Sequence, residues 1–349
     1  MKKGLPIFLF CILISGCADE HVVGNISITQ YVSFDIQGDT FKSSATYPSY
    51  EKKAPLLLLS AESQTIRGVI SSYATQSQQP VEIGQLRTIV ISEKLAASGI
   101  SELVDDLVQD PQLASNTKLV ISKQNPSMIL SKTLKYPAFY LSDLIEQNMK
   151  YGNTPQTNAH TLLDQYFGEG QSVYIPLINN DQNGLIQMEG VGVFNEDKLK
   201  LSLTNKEGLL LKLLKDKDLS AIYEFKTEQQ SKIYLQISYG KRKVSLAQDG
   251  KAVISLKLFV DINDFSNKND LQELKQQMGQ HFSSEIKSML EKFQRNHVDP
   301  IGFGDLYRGR QKKWSEQEFH NQTYPNLTFE VNTEIVIIHS GVGTIEKSG

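Results

Sequence analysis

Cysteine is almost missing from this chain. Its 349 residues hold only Cys11 and Cys17, both close to the N-terminus. The body therefore has no thiol, which excludes disulfides, a cysteine nucleophile and a thiolate metal site there. An excess of one charge is also missing: 36 Lys and Arg stand against 39 Asp and Glu, a net charge of -3. Nothing in that balance points to nucleic acid or to a strongly basic membrane face. Long apolar runs are missing as well. Beyond Cys17 the longest, around 56–59 and 209–214, fall far short of the ~20 residues a spanning helix needs. No Gly-x-Ser-x-Gly elbow, Walker loop or Gly-x-Gly-x-x-Gly occurs. The histidines His21, His160, His281, His297, His320 and His339 show no i, i+4 or His-x-Glu spacing suited to zinc. The sequence thus predicts no enzyme, no cofactor and no metal site, and structural roles are the default for the histidines. With 40% hydrophobic and 21% charged residues the chain has the composition of a folded protein.

The most specific short signal is N-terminal. Lys2 and Lys3 precede an apolar run over 5–14, followed by Leu13-Ile14-Ser15-Gly16-Cys17. A charged start, an apolar run too short to stay as a spanning helix and small residues before a junction describe a cleaved export signal. The cysteine at the junction matches a bacterial lipobox, so residues 1–16 are expected to be removed and Cys17 acylated. Its thiol is needed because it carries the diacylglyceryl group as a thioether. Acyl chains add roughly 0.8 kcal/mol of membrane affinity per buried CH₂, and two or three chains hold a protein stably.

Periodicity predicts a mixed α/β or α+β chain of several domains: an N-terminal α/β domain over 17–125, a middle domain over 126–195 and a C-terminal α+β domain over 196–349. Alternation over 26–34 and again to residue 47, across the turn Gln37-Gly38-Asp39, reads as a β-hairpin. Strands are expected over 86–91 and 117–122, with helices between them starting at Glu93 after Ser92 and at Ser101 after Gly99. The middle region reads as less regular, with short helices near 142–149 and 162–166 and strands over 173–178 and 185–194. Further on, clean alternation at 199–203, 222–226, 233–239 and 253–262 predicts a mostly antiparallel sheet. One long amphipathic helix over 270–296 is expected to pack on it, ended by Pro300, before a last strand at 329–338.

After that helix comes Asp299-Pro300-Ile301-Gly302-Phe303-Gly304-Asp305, then Trp314, then Tyr324-Pro325-Asn326-Leu327. With Gly84-Gln85-Leu86-Arg87-Thr88-Ile89-Val90-Ile91-Ser92-Glu93-Lys94-Leu95-Ala96, Gly99-Ile100, Asp110-Pro111 and the lipobox, this order and spacing resembles the Ger(x)C family of spore germination lipoproteins across nearly the whole mature chain. Two places depart from that family: Ala18-Asp19-Glu20 stands where Trp-Asp usually follows the acylated cysteine, and Ser63-Gln64-Thr65-Ile66 lacks the usual glycine. The resemblance implies a non-catalytic subunit of a nutrient germinant receptor on the outer face of the spore inner membrane. It also implies partnership with integral membrane A-type and B-type subunits and a role in assembly and germination signalling. The rival reading is an extracytoplasmic solute-binding lipoprotein, which needs two lobes around a ligand cleft.

On their own residues the motifs read mostly as structure. Pro300 stops a helix, Gly302 and Gly304 allow backbone angles closed to other residues, and Ile301 and Phe303 tuck onto the core; direct partner contact is the alternative. Trp314 reads as packing or as part of a docking face. Arg308, Arg310, Lys312 and Lys313 form a basic cluster, either solvated or set against a partner or lipid head groups. Lys241-Arg242-Lys243 reads as a basic hairpin tip, Gly190 and Gly192 as a bulge or close packing in a strand, and Asp105 and Asp106 as a solvated helix face.

Overall fold

The computed structural model describes residues 27–48, 56–108, 110–227, 232–247, 250–262, 271–311 and 313–339. Cys17, His21 and Lys312 lie outside them. From β1 (Ser27–Ile28) the chain enters the hairpin β2 (Tyr31–Gln37) and β3 (Thr40–Pro48), turning at Gly38 with φ of 61°. It continues through β4 (Leu56–Ser63), α1 (Ile66–Tyr73), β5 (Val81–Glu82), β6 (Thr88–Ser92), α2 (Glu93–Ser98) and α3 (Ser101–Leu103) into a single π turn, Val104–Val108. Next come β7 (Lys118–Ser122), α4 (Pro126–Thr133), α5 (Tyr140–Tyr151), α6 (Ala159–Phe167), β8 (Tyr174–Asn180), β9 (Ile186–Asn195) and β10 (Lys198–Thr204).

Eight of these strands form one sheet in the order β10-β9-β8-β7-β6-β2-β3-β4. The four inner strands β8, β7, β6 and β2 are parallel, and both wings are antiparallel. Strands from 17–125, from 126–195 and from the start of 196–349 all share this sheet. The inner strands are buried on both faces, and in β6 and β7 this shows as the apolar runs Ile89-Val90-Ile91 and Leu119-Val120-Ile121. In β6, Ile89 and Ile91 enter the core under α1, α2 and α6, while Val90 enters the opposite core under α4 and α5. Ser92 caps α2 by accepting from the Leu95 N–H, and Gly99 ends it, as the sequence predicts.

The chain then forms α7 (Asn205–Lys215), which sequence periodicity does not predict, followed by β11 (Ala221–Lys226), β12 (Lys232–Leu246), β13 (Lys251–Ile262), α8 (Leu271–Arg295), α9 (Phe303–Arg308), α10 (Glu316–Glu318) and β14 (Thr328–His339). Strands β11 to β14 make a second sheet in chain order. The first three are antiparallel, and β14 runs parallel to β13 because α8 carries the chain back across the sheet. Leu274, Met278, Phe282, Ile286, Met289 and Phe293 of α8 bury against Ile254, Leu256, Leu258 and Val260 of β13. The same core takes in Tyr174, Val191, Val193 and Leu203 from the first sheet through α7, so the two sheets share it.

Pro300 does not end α8. The Val298 N–H donates to the Phe293 carbonyl at 3.1 Å and the His297 N–H to the Gln294 carbonyl at 3.1 Å. That is a Schellman closure, with His297 at φ 55° in the place glycine usually takes.

Candidate functional site

The two sheets meet at the C-terminal end of α7, where charge is buried. Thr204 and Glu207 begin α7 with a reciprocal capping box. Gly208, the leucines at 209–211, 213 and 214, and Lys212 between them are all buried. The Lys212 ammonium is fully buried and donates to three carbonyls: Met149 at 2.7 Å, Gly152 at 2.7 Å and Ser220 at 3.2 Å. It thereby fastens the end of α5 and the approach to β11 onto α7. Burial lowers its pKa, and nearby Asp216 pulls it back up. The Asp216 carboxylate accepts the Gln156 N–H on both oxygens at 3.1 Å. Burial pushes its pKa up to about 6 against the Gln156 N–H and the cations Lys212, Arg242 and Lys215. Arg242 closes the end of the helix by donating to the carbonyls of Lys215 and Asp216, where a cation suits the helix dipole.

Arg242 and its neighbours therefore require a correction. Residues 241–243 lie in the middle of β12, not at a hairpin tip. Strand alternation turns Arg242 toward α7, whereas Lys241 and Lys243 point to the other face.

On the other side of Lys215 lies the 299–304 segment. Asp299 is fully buried and holds a tight loop, accepting the Gly302 N–H on Oδ1 and the Gly304 N–H on Oδ2, each at 2.9 Å. Burial pushes its carboxyl up to about 7, opposed by the N–H groups of Gly304 and Gly302 and by the Lys215 charge. The Lys215 ammonium, its own pKa lowered by burial, donates to the Ile301 carbonyl at 3.3 Å. The loop is pinned to the first sheet's side: the Ser172 N–H donates to the Asp299 carbonyl, and the Ser172 hydroxyl accepts the Asp299 N–H, both at 2.8 Å. The Asp305 N–H donates to the Gly170 carbonyl at 3.1 Å. The backbones of Gly170 and Gly304 cross in direct contact. A Cβ on Gly304 would lie 2.5 Å from the Gly170 Cα, and one on Gly170 would lie 2.6 Å from the Gly304 carbonyl carbon. Gly302 takes the left-handed angle the sequence implies, with φ of 86°, whereas Gly304 does not and is required for this close crossing instead. Its partner Gly170 was not singled out from the sequence.

Beside this loop opens a polar cleft of about 1010 Å³. Its walls carry Glu169, Glu196, Asp197, His297, Glu316 and His320. Among the described residues the non-glycine positions with positive φ are Glu196 and His297, and both line it. Trp314 stands at this side, half-buried against Tyr307 and Phe319, and its indole N–H donates to Glu169. Of the described members of the basic cluster, Arg308 pairs with Asp305 at 3.3 Å, Arg310 donates to the Leu246 carbonyl, and Lys313 is exposed.

The other flagged residues scatter. His281 Nε2 lies 2.7 Å from the Tyr223 hydroxyl, and burial lowers its pKa. His339 Nδ1 lies 2.6 Å from Asp261, while His160 is exposed on α6. Asp106 pairs with Arg67 at 3.0 Å. Gly190 sits beside a bulge between β8 and β9, where a Cβ would strike the Leu203 carbonyl. Among the described residues no three His, Cys, Asp or Glu gather as a metal site, and no helix is long and apolar enough to cross a membrane.

Two family models match the chain. One is described as the spore germination protein N-terminal domain, over residues 19–180, and the other as spore germination B3/GerAC like, C-terminal, over residues 189–341. The chain belongs to the Ger(x)C family of spore germination proteins. This Ger(x)C chain is 27% identical to the spore germination protein GerQC of Bacillus cereus, with 98% of its own length and 99% of that protein covered. It is 20% identical to the spore germination protein KC of Bacillus subtilis (strain 168), covering 96% and 95%. Its fold matches the crystal structure of the GerBC protein with a TM-score of 0.59 at 16% identity, over 88% of this chain and 97% of that one. The charged junction of this Ger(x)C protein is built from Lys212, Asp216 and Arg242 of the second matched region, of which Lys212 holds Met149 and Gly152, and Asp216 holds Gln156, of the first.

Proposed function

We propose that the chain is the lipid-anchored C subunit of a nutrient germinant receptor, tethered through Cys17 at the outer face of the spore inner membrane. It acts there without catalysis, in assembly with integral A-type and B-type subunits and in passing on the germination signal. The observation that carries this reading is the match of both germination family regions over 19–180 and 189–341, with GerQC aligned almost end to end. The lipobox supports the tether, and the lack of a spanning helix among the described residues is consistent with it. An anchor confines the body to two dimensions and so raises its effective concentration toward membrane partners. The shared core, with its buried charged fastening, suits a subunit that transmits force or position as one body.

The test is germination of spores carrying Cys17→Ala, with the membrane-bound fraction of the protein measured alongside. Loss of attachment together with loss of response to one class of nutrient is the expected result. Normal germination to every nutrient tested, with the protein released from the membrane, overturns the anchored-subunit reading.

A further inference from the structure

Strands β11 to β14 bury one face against α7, α8 and residues of the first sheet. Register fixes what the opposite face carries, because alternate residues of a strand share a face. A bulge between Ile237 and Tyr239 brings Tyr239, Phe259 and Val336 into one row across β12, β13 and β14. The Tyr239 and Phe259 ring centroids lie 5.4 Å apart. Ile222 of β11 and Tyr234 of β12 stand on the same face beyond that row. This face is open: Ile222, Tyr234 and Tyr239 remain 60%, 55% and 46% exposed. One apolar side chain in water is ordinary, but three beside Phe259 make a patch. On the other side of the row come Lys241 and then Lys243, both exposed. The carboxylates of the face are already engaged: Glu224 by Lys232 at 2.9 Å, Glu330 by Lys251 at 3.2 Å, Glu334 by Lys257 at 2.6 Å and Asp261 by His339 at 2.6 Å. Lys241 and Lys243 form no ion pair with a described residue, so they are the charge this face has to offer.

We infer that this face rests on an anionic lipid surface, with the Tyr239 row at head-group depth and Lys241 and Lys243 against lipid phosphates. Tyrosine suits that depth because its ring is apolar and its hydroxyl is polar. Each lysine near an anionic bilayer adds attraction that salt weakens. The inference rests on the proposed tether through Cys17. Residues 17–26 reach at most about 36 Å, so the bilayer stays close to the body, and contacts too weak to bind alone are enough to orient it. Charge argues against a second copy as the occupant, since it would set the same surplus of lysine against itself.

The experiment places one fluorophore on the acylated chain, purified from membranes and reconstituted into vesicles that carry a head-group quencher. Beyond Cys17 the sequence has no cysteine, so an introduced one takes the label alone. Ser255→Cys puts it on the open face, in register with Lys243. Ser288→Cys puts it on an exposed position of α8, which packs on the other face. The vesicles are phosphatidylcholine alone or phosphatidylcholine with phosphatidylglycerol, and flotation reports attachment. The Ser255→Cys label is expected to be quenched more than the Ser288→Cys label, and only with phosphatidylglycerol present. Lys241→Gln with Lys243→Gln is expected to lower the ratio of docked to undocked chains roughly tenfold or more. Thermal melting checks the fold of that variant, and the two vesicle compositions test the unaltered face in any case. A chain that floats but shows equal quenching at both positions overturns this inference and leaves the tether standing. Quenching at Ser255→Cys that ignores phosphatidylglycerol or the two lysines also overturns it. A chain that does not float overturns the tether, and this orientation with it. Concentration-dependent shielding of the Ser255→Cys label in detergent without vesicles overturns it too, by assigning the face to a second copy.

Discussion

Lys212 holds three carbonyls with one ammonium group, two at the end of α5 and one just before β11. Replacing it by methionine keeps the apolar stem and leaves those acceptors bare in the core. Lys212→Met is therefore expected to lower unfolding free energy by about 3 kcal/mol in a urea titration, since unsatisfied buried polar groups cost about 1–3 kcal/mol each. Asp216 gives a prediction in pH. Its folded pKa, about 6, lies above the ordinary 3.8, so between those values the folded state binds more protons than the unfolded one. Stability from this group is present at low pH and is lost as pH rises from about 4 to about 6, by about 3 kcal/mol at most. Melting profiles of the wild type and Asp216→Asn across that window are expected to converge at the acid end and to differ in slope above it. Parallel profiles would contradict the assignment. Neither residue is legible in the sequence. Leu-Leu-Lys-Leu-Leu-Lys-Asp reads as an apolar run followed by a solvated turn, and only a lysine set inside unbroken leucines hints at burial. Gly170 is silent for a different reason: its need for a bare Cα comes from Gly304, far along the chain.

Among the elements, α8 is written plainly in the sequence because it buries one face, which leaves a period. Helix α7 escapes that logic. Residues 208–214 are buried on every side, so no amphipathic stripe exists, and an all-round apolar helix shows no moment. The usable signal was the capping pair Thr204 and Glu207. Thr204→Ala is expected to cost about 1 kcal/mol, the usual loss of an N-cap, read as a shift in denaturation midpoint without change in slope. Helix α4 carried a similar unread sign, Pro126 at its first position after Asn125, whose side chain caps the Ser127 N–H. The basic run at 241–243 was misplaced because three consecutive cations look like a turn, whereas strand alternation sends the middle one inward. At the α8–β14 crossing, Gly279→Ala puts a methyl against the Thr333 carbonyl. It is expected to destabilise by about 1–3 kcal/mol through overpacking, even though alanine is the better helix former, and a stabilising result would contradict the close crossing.

At the scale of the molecule, a mixed α/β and α+β chain was readable from the order of periods, and so was a C-terminal sheet crossed by one long helix. The extent of the first sheet was not, because parallel neighbours such as β7 and β8 pair across more than fifty intervening residues, a separation that leaves no local mark. Nor could the sequence reveal that the two sheets share a core through α7. The central claim is that this body works as a subunit among membrane partners. Isolating the tagged, full-length protein from solubilised spore inner membranes and identifying what comes with it tests that claim most directly. Recovery of one A-type and one B-type integral membrane protein in comparable amounts is the predicted result. Recovery of the chain alone, or with a transporter and a bound small solute, would contradict the account.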